Sequence, residues 1–429
     1  MEKSDPRYQA YIQILKEELI PAMGCTEPIA LAYAGAVAKK ALGEQPDKVK
    51  VEASGSIIKN VKSVIVPNTG HLKGINAAVT AGIVAGDPDK QLEVIAQVSS
   101  EQIQQMKQFM KEVPVEIEHL AGGCTFDIIV TVYHGESYAK VRIANYHTNI
   151  VLIEKNGEVL RSEAVSDDSE DGLTDRTLLD MEHIWDFATT VDINDVKELL
   201  DQQIACNVAI AEEGLKNDYG ANIGKVLLDM GGDDVRVRAK AMAAAGSDAR
   251  MNGCALPVAI VCGSGNQGIT CALPVMEYAE YLRCDHERLV RAVMLSDLIA
   301  VHIKSYIGAL SAFCGAICAA CGAGAAITWL CGGTREQIGA TVSNTLGNVG
   351  GIVCDGAKAS CAAKISAAVD AAILGHDMAM QGRGFRAGEG LIQDTVEQTI
   401  ASMGYVGRVG MKDTDVEILN IMIGKTQVC

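Results

Sequence analysis

Apolar residues recur at helical spacing over Asp5–Leu19 and again over Ile29–Leu42, where Gly43 ends the pattern. The two stretches are joined by Pro-Ala-Met-Gly-Cys-Thr-Glu-Pro (Pro21–Pro28), a turn bracketed by prolines, with Thr26 placed to cap the following helix. From about Asp47 the period changes to two. VKVEAS, KSVIVPN, VEIEHL, DIIVTVYHG and the run from Ser137 to Leu160 alternate apolar and polar residues as half-buried strands do. Ile75–Ala85 and Glu101–Glu112 interrupt them with helical spacing. The acidic run Ser162–Asp175 has no period and predicts a linker. Beyond it, Trp185–Val191, Asn194–Glu213, His286–Tyr306 and Arg335–Thr345 read as helices, and Gly-Gly pairs mark tight turns. The pattern predicts an α+β protein in three parts. Residues 1–45 are N-terminal helices that pack with the C-terminal domain, 46–160 a small α/β domain, and 175–429 a large all-α domain.

Composition sharpens this picture. Hydrophobic residues make up 48% and aromatics only 4%, with 43 glycines, so the core is built from small side chains that let helices approach closely. The net charge of −17, with no basic stripe, argues against a nucleic-acid partner. The polar start followed by an amphipathic helix is no secretory signal, which predicts a cytoplasmic protein. Ile307–Leu330 is apolar and uncharged, but its glycines and cysteines suit a buried helix hairpin better than a bilayer span, so no membrane is expected. Fourteen cysteines in such a chain are unlike a disulfide framework. Cys206, Cys254, Cys262, Cys271 and Cys331 lie in apolar runs, where cysteine acts as a small hydrophobe. The others are open to metal.

Four segments concentrate glycine and cysteine: PAMGCTEP, CGSGNQG (Cys262–Gly268), SAFCGAICAACGAGAA (Ser311–Ala326) and GNVGGIVCDGAKASCAAK (Gly347–Lys364). CGSGNQG lacks both the Lys-Ser/Thr of a P-loop and dinucleotide glycine spacing. Its Ser264, Asn266 and Gln267, around Gly265, suit a nest of donors for a carboxylate, or a plain structural turn. Cys314, Cys318 and Cys321 resemble a C-x3-C-x2-C cluster loop, yet they share one face of an Ala-rich helix, as a core stripe does. Cys25 precedes a helix, where the dipole lowers a thiol pKa, and Cys354 and Cys361 lie among glycines with Lys358 and Lys364 nearby. Three glycine-bound cysteine turns, at 25, 314 and 354, point to a shared metal site. His71, in PNTGHLKG, and His147, in NYHTNI, are the candidate histidines, while Lys59 and Lys62 read as a solvated face.

Taken together, MGCTEP (Met23–Pro28), GSGNQG (Gly263–Gly268), SAFCG (Ser311–Gly315) and VCDGAKASCAAK (Val353–Lys364) resemble the L-cysteine desulfidase family, related to the iron–sulfur L-serine dehydratases, over essentially the whole chain. The resemblance implies a [4Fe-4S] cluster on Cys25, Cys314 and Cys354. Cys321 and Cys361 are alternates, because both pairs lie 40 residues apart. It implies a carbon–sulfur lyase that takes L-cysteine to sulfide, pyruvate and ammonia, with L-serine dehydration or a non-catalytic iron–sulfur protein as alternatives. A homodimer is possible within that expectation. Cys25 and His71 would be catalytic, His71 as the base. Ser56, Ser264, Gly265, Asn266 and Gln267 would hold the substrate.

Overall fold

A computed structural model describes residues 1–165, 173–308 and 310–426. The chain is α+β, as expected, with one mixed sheet and a larger helical mass. The sheet has six strands in the order Val115–His119, Lys48–Ala53, Asp127–His134, Ser137–Ala144, Ile150–Lys155 and Glu158–Ser162. The first two run parallel and the other neighbours pair antiparallel. Along Lys48–Ala53 buried and half-buried residues alternate, with Val49, Val51 and Ala53 inward. Helix Thr26–Leu42 covers the central strands, and helix Gly74–Ala85 packs beside it.

One predicted strand is absent. Over Lys62–Asn68 only Ile65 makes a bridge, to Lys73. Val64 and Val66 are buried as the alternation requires, but Pro67 ends the run, and the chain turns back through left-handed Asn68 and His71. Part of the predicted acidic linker, 166–172, lies outside the described residues.

The helical unit is organised around Gly315–Leu330, which is buried on nearly every side. Its sequence, GAICAACGAGAA, offers little bulk in any direction. Four helices therefore close on it: Gly265–Tyr281, His286–Ile307, Arg335–Val349 and Cys361–Met380. A Cβ on Gly322 would lie 2.1 Å from the backbone oxygen of Ser296 on the neighbouring helix. This corrects the hairpin expected over Ile307–Leu330. Glycine here brings helices together rather than breaking one, and a single helix runs on from Gly315. Among the described residues no helix is long and apolar enough to cross a membrane.

Residues 1–45 do not stay together. Helix Pro6–Glu18 packs on the helical unit, with Tyr8 and Tyr11 edge-on to Phe187 at 5.5 and 5.3 Å. Strand Pro21–Met23 pairs there with Pro257–Ala259. Thr26–Leu42, in contrast, belongs to the sheet. Gly24 and Cys25 thus sit where the chain crosses from one unit to the other. The C-terminal helix Lys412–Met422 returns the other way, and its Asp415 pairs with Lys59 on helix Gly55–Val61.

Gly322→Ala should destabilise the protein by about 3 kcal/mol, because a backbone oxygen cannot step aside. Chemical denaturation checks this, and an unchanged midpoint would contradict the helix crossing described.

Candidate active site

A cavity of about 630 Å³ lies between the sheet unit and the helical unit. Four helices begin at its wall: Thr26–Leu42, Gly265–Tyr281, Gly315–Leu330 and Cys361–Met380. Cys25, Ser264 and Cys314 precede the first three, and Cys361 is the first residue of the fourth. All four residues line the cavity. Helix N-termini present N–H groups and a positive dipole end, so negative charge is favoured where they meet.

Cys354 joins them through the backbone. Phe313 and Val353 form an isolated antiparallel bridge, flanked by Cys314 N–H to Ile352 (3.0 Å) and Cys354 N–H to Ala312 (2.6 Å). In that register Cys314 and Cys354 fall on the same face, diagonally placed, with their Cα atoms about 8 Å apart from strand rise and spacing. This is too far for a disulfide. Among the described residues no three His, Cys, Asp or Glu side chains converge on one ion. An iron–sulfur cluster makes neither demand. Its irons are separate, each thiolate takes its own iron, and these spaced thiols fit that requirement.

Burial, then the neighbouring Cys354 and Cys361, push the Cys314 thiol up to about 12. Burial also raises Cys361, and it raises Cys25 well above the ordinary range, with the Glu27 charge adding to it. These groups are therefore protonated thiols in the metal-free chain. The Cys25 thiol donates to Glu27 Oε2 at 3.0 Å, and Asn60 Nδ2 donates to Glu27 Oε1 at 2.9 Å. Burial opposes the Glu27 charge, but His147, the Cys25 thiol and Arg250 outweigh it and hold the carboxyl below its usual range. Beside Cys354, Lys358 and Lys364 both pair with Asp355 and similarly overcome its partial burial.

The CGSGNQG loop opens on a two-residue turn. Val261 and Ser264 bridge across Cys262 and Gly263, which have φ of 50° and 70°. Both central residues are left-handed, as in a type I′ turn, where glycine is at ease and cysteine is not. The turn starts helix Gly265–Tyr281 at the cavity wall. Ser264, Asn266 and Gln267 line the space, whereas Gly265, expected beside the substrate, does not line it and packs against Val258 and Arg250. The buried Asn266 Oδ1, Gln267 Oε1 and His147 Nε2 have no hydrogen-bond partner among the described residues.

The structure therefore gathers Cys25, Cys314, Cys354, Cys361, Ser264, Asn266 and Gln267 around one space. It does not bring in His71, Ser56 or Cys321. His71 is exposed on its left-handed turn and does not line the cavity. Ser56 is buried against Asp415 (3.4 Å), because the C-terminal helix covers that side of helix Gly55–Val61. Cys321 lies two turns inside the central helix, fully buried, which separates the two pairs that spacing alone could not.

The histidine at the cavity is His147, packed edge-on to Phe126 at 4.7 Å. Lys59 is not on a solvated face, as Lys62 is. It is 2% exposed, ion-paired with Asp415, and lines the cavity. Arg250 was missed, although an arginine in the small-residue run AMAAAGSDARM is itself a signal. Glu27 was missed inside a motif already singled out, because only the fold shows that it faces inward.

The serine dehydratase alpha chain family model matches residues 89–420. The chain belongs to that family. Among its relatives, a UPF0597 protein of Desulfitobacterium hafniense is 56% identical over 99% of both chains. One of Lachnoclostridium phytofermentans is 50% identical over 97% of this chain and 100% of its own. One of Treponema denticola is 43% identical, with 97% and 98% covered. Membership makes the protein a serine dehydratase-like, lyase-type enzyme of a family associated with iron–sulfur clusters. In this family member the match begins within the sheet unit, so the cavity has matched residues on both sides.

Cys314→Ala and Cys354→Ala should each empty the anaerobically reconstituted protein of iron and acid-labile sulfide, whereas Cys321→Ala should leave both unchanged. Equal loss in all three variants would contradict the placement of Cys321 away from the site.

Proposed function

We propose that the protein is an iron–sulfur-dependent L-cysteine desulfidase. The observation that carries this reading is that Cys25, Cys314 and Cys354, from three distant parts of the chain, line one cavity where His147 Nε2, Asn266 Oδ1 and Gln267 Oε1 have no partner among the described residues. Those three cysteines would hold the [4Fe-4S] cluster, which when bound supplies one iron free of protein ligands as a Lewis acid for the leaving sulfur. The thiol of Cys361 gives a second assignment some support, since it is felt by Cys314 while the Cys25 thiol is hydrogen-bonded to Glu27. Cys25→Ala and Cys361→Ala distinguish the two assignments by cluster content.

The protein's own groups do the remaining work. His147 takes the α-proton in this reading, in place of His71. Burial lowers its pKa despite the Glu27 charge, so the imidazole stays neutral and basic at physiological pH. The electron pair left at Cα forms the Cα–Cβ double bond as the Cβ–S bond breaks, releasing sulfide and aminoacrylate. Water then converts aminoacrylate to pyruvate and ammonia. Walls such as Phe126 and Ile260 keep solvent from the carbanionic centre.

L-Serine dehydration is the second reading, favoured by the family match. It needs the same proton removal, with hydroxide leaving instead of sulfide. Anaerobic reconstitution followed by assays on both amino acids separates them. Equal sulfide and pyruvate from L-cysteine supports desulfidase, and pyruvate only from L-serine supports dehydratase. A cluster with neither activity leaves a non-catalytic iron–sulfur protein.

His147→Gln should lower kcat by about 10²- to 10⁴-fold, the usual contribution of a positioned base. In the wild type kcat/KM should hold level below pH 6.5 and fall only as the depressed His147 pKa is crossed and the imidazole protonates. A His147→Gln enzyme with an unchanged acid limb would exclude His147 as the base.

A further inference from the structure

We propose that Arg250 is the anchor for the substrate's carboxylate, making this cavity selective for small free amino acids over their amides, esters and amines. The inference rests on the reading above only in that an amino acid enters the cavity.

Arg250 lies near the end of helix Val235–Met251, among fully buried alanines, and is 2% exposed. A guanidinium in such a place is ordinarily paired, because an unpaired buried charge is costly. Here its Nε donates to the Gly24 carbonyl at 2.9 Å. That is its one hydrogen bond among the described residues, and no carboxylate there comes within ion-pair distance of it. The terminal amino groups, the fork that matches a carboxylate, make no hydrogen bond among the described residues, and Arg250 lines the cavity.

Glu27 does not neutralise it at contact. Its oxygens are engaged by Cys25, Thr26 and Asn60, and it acts on Arg250 only through the field. The packing keeps the fork in place. A Cβ on Gly265 would lie 2.5 Å from Arg250 Nε, so the first residue of the cavity helix must be glycine for the arginine to pass. The arginine therefore reaches the space exactly where a helix begins, and the dipole of Gly265–Tyr281 adds to its charge.

The unpartnered oxygens complete the picture. Asn266 Oδ1 and Gln267 Oε1, buried at the same wall, are acceptors. Acceptors suit an ammonium group as the guanidinium suits a carboxylate. An α-amino acid carries both on one carbon, whereas an amide or an amine lacks the anion.

The test uses the reconstituted protein and L-alanine, which has neither thiol nor leaving group, so its binding requires neither iron nor turnover. By calorimetry wild type should bind L-alanine about 100-fold more tightly than L-alaninamide, as a charge-assisted bidentate pair provides. Arg250→Gln should erase that preference while iron content stays unchanged, and Arg250→Lys should keep part of it. Undiminished preference in Arg250→Gln overturns the proposal, as does wild type that fails to bind alanine. Loss of iron in both variants overturns it too, since Arg250 would then serve Gly24 and the Cys25 turn. Arginine-dependent alanine binding in a protein that turns over neither cysteine nor serine would leave the anchor standing and remove the elimination reading. Cysteine turnover with unchanged KM in Arg250→Gln would do the reverse.

Discussion

The proposed site would hold thiolates and a carboxylate, negative charge kept away from water, and the convergence of four helix N-termini favours such charge. Each contributes N–H groups and a dipole end at the same cavity, from Thr26, Gly265, Gly315 and Cys361. Formal cations, Arg250, Lys59, Lys304 and Lys364, surround them, although most have partners of their own. Burial outweighs this field at Cys25, Cys314 and Cys361, whose thiols are all shifted upward in the metal-free chain.

Convergence of this kind needs helices that approach closely, and small side chains provide the approach. The central helix Gly315–Leu330 touches four others because glycine, alanine and cysteine make up most of its surface. The same economy of bulk lets Arg250 pass Gly265 into the cavity. The site is also completed across two units. Cys25 sits at the crossing of the chain from helical unit to sheet, while Asn60 and His147 come from the sheet side. Relative movement of the two units would therefore change the cavity itself.

Much of this was legible in the sequence, because turns built on glycine and cysteine announce themselves. PAMGCTEP, CGSGNQG and the Cys314 and Cys354 turns all reach the cavity. Apart from Lys62–Asn68, which alternates but turns back at Pro67, the strands were equally plain, since a sheet with one covered face writes its period into the chain. What stayed hidden depended on direction. His71 and His147 both lie in polar turns, and only the fold shows that one faces solvent and the other Phe126. Lys59 reads as surface because its partner, Asp415, is more than 350 residues away. Cys321 and Cys361 share a spacing with Cys314 and Cys354, but the first is locked inside a helix and only the second begins one.

The central claim is that a cluster and an amino acid meet in this one cavity. Mössbauer spectroscopy of protein reconstituted anaerobically with ⁵⁷Fe tests it most directly, recorded before and after L-cysteine is added. The account predicts that about a quarter of the iron signal, the one iron of four without a protein thiolate, shifts on addition of L-cysteine while the remainder stays in place. An iron signal that is indifferent to L-cysteine and to L-serine alike would contradict it.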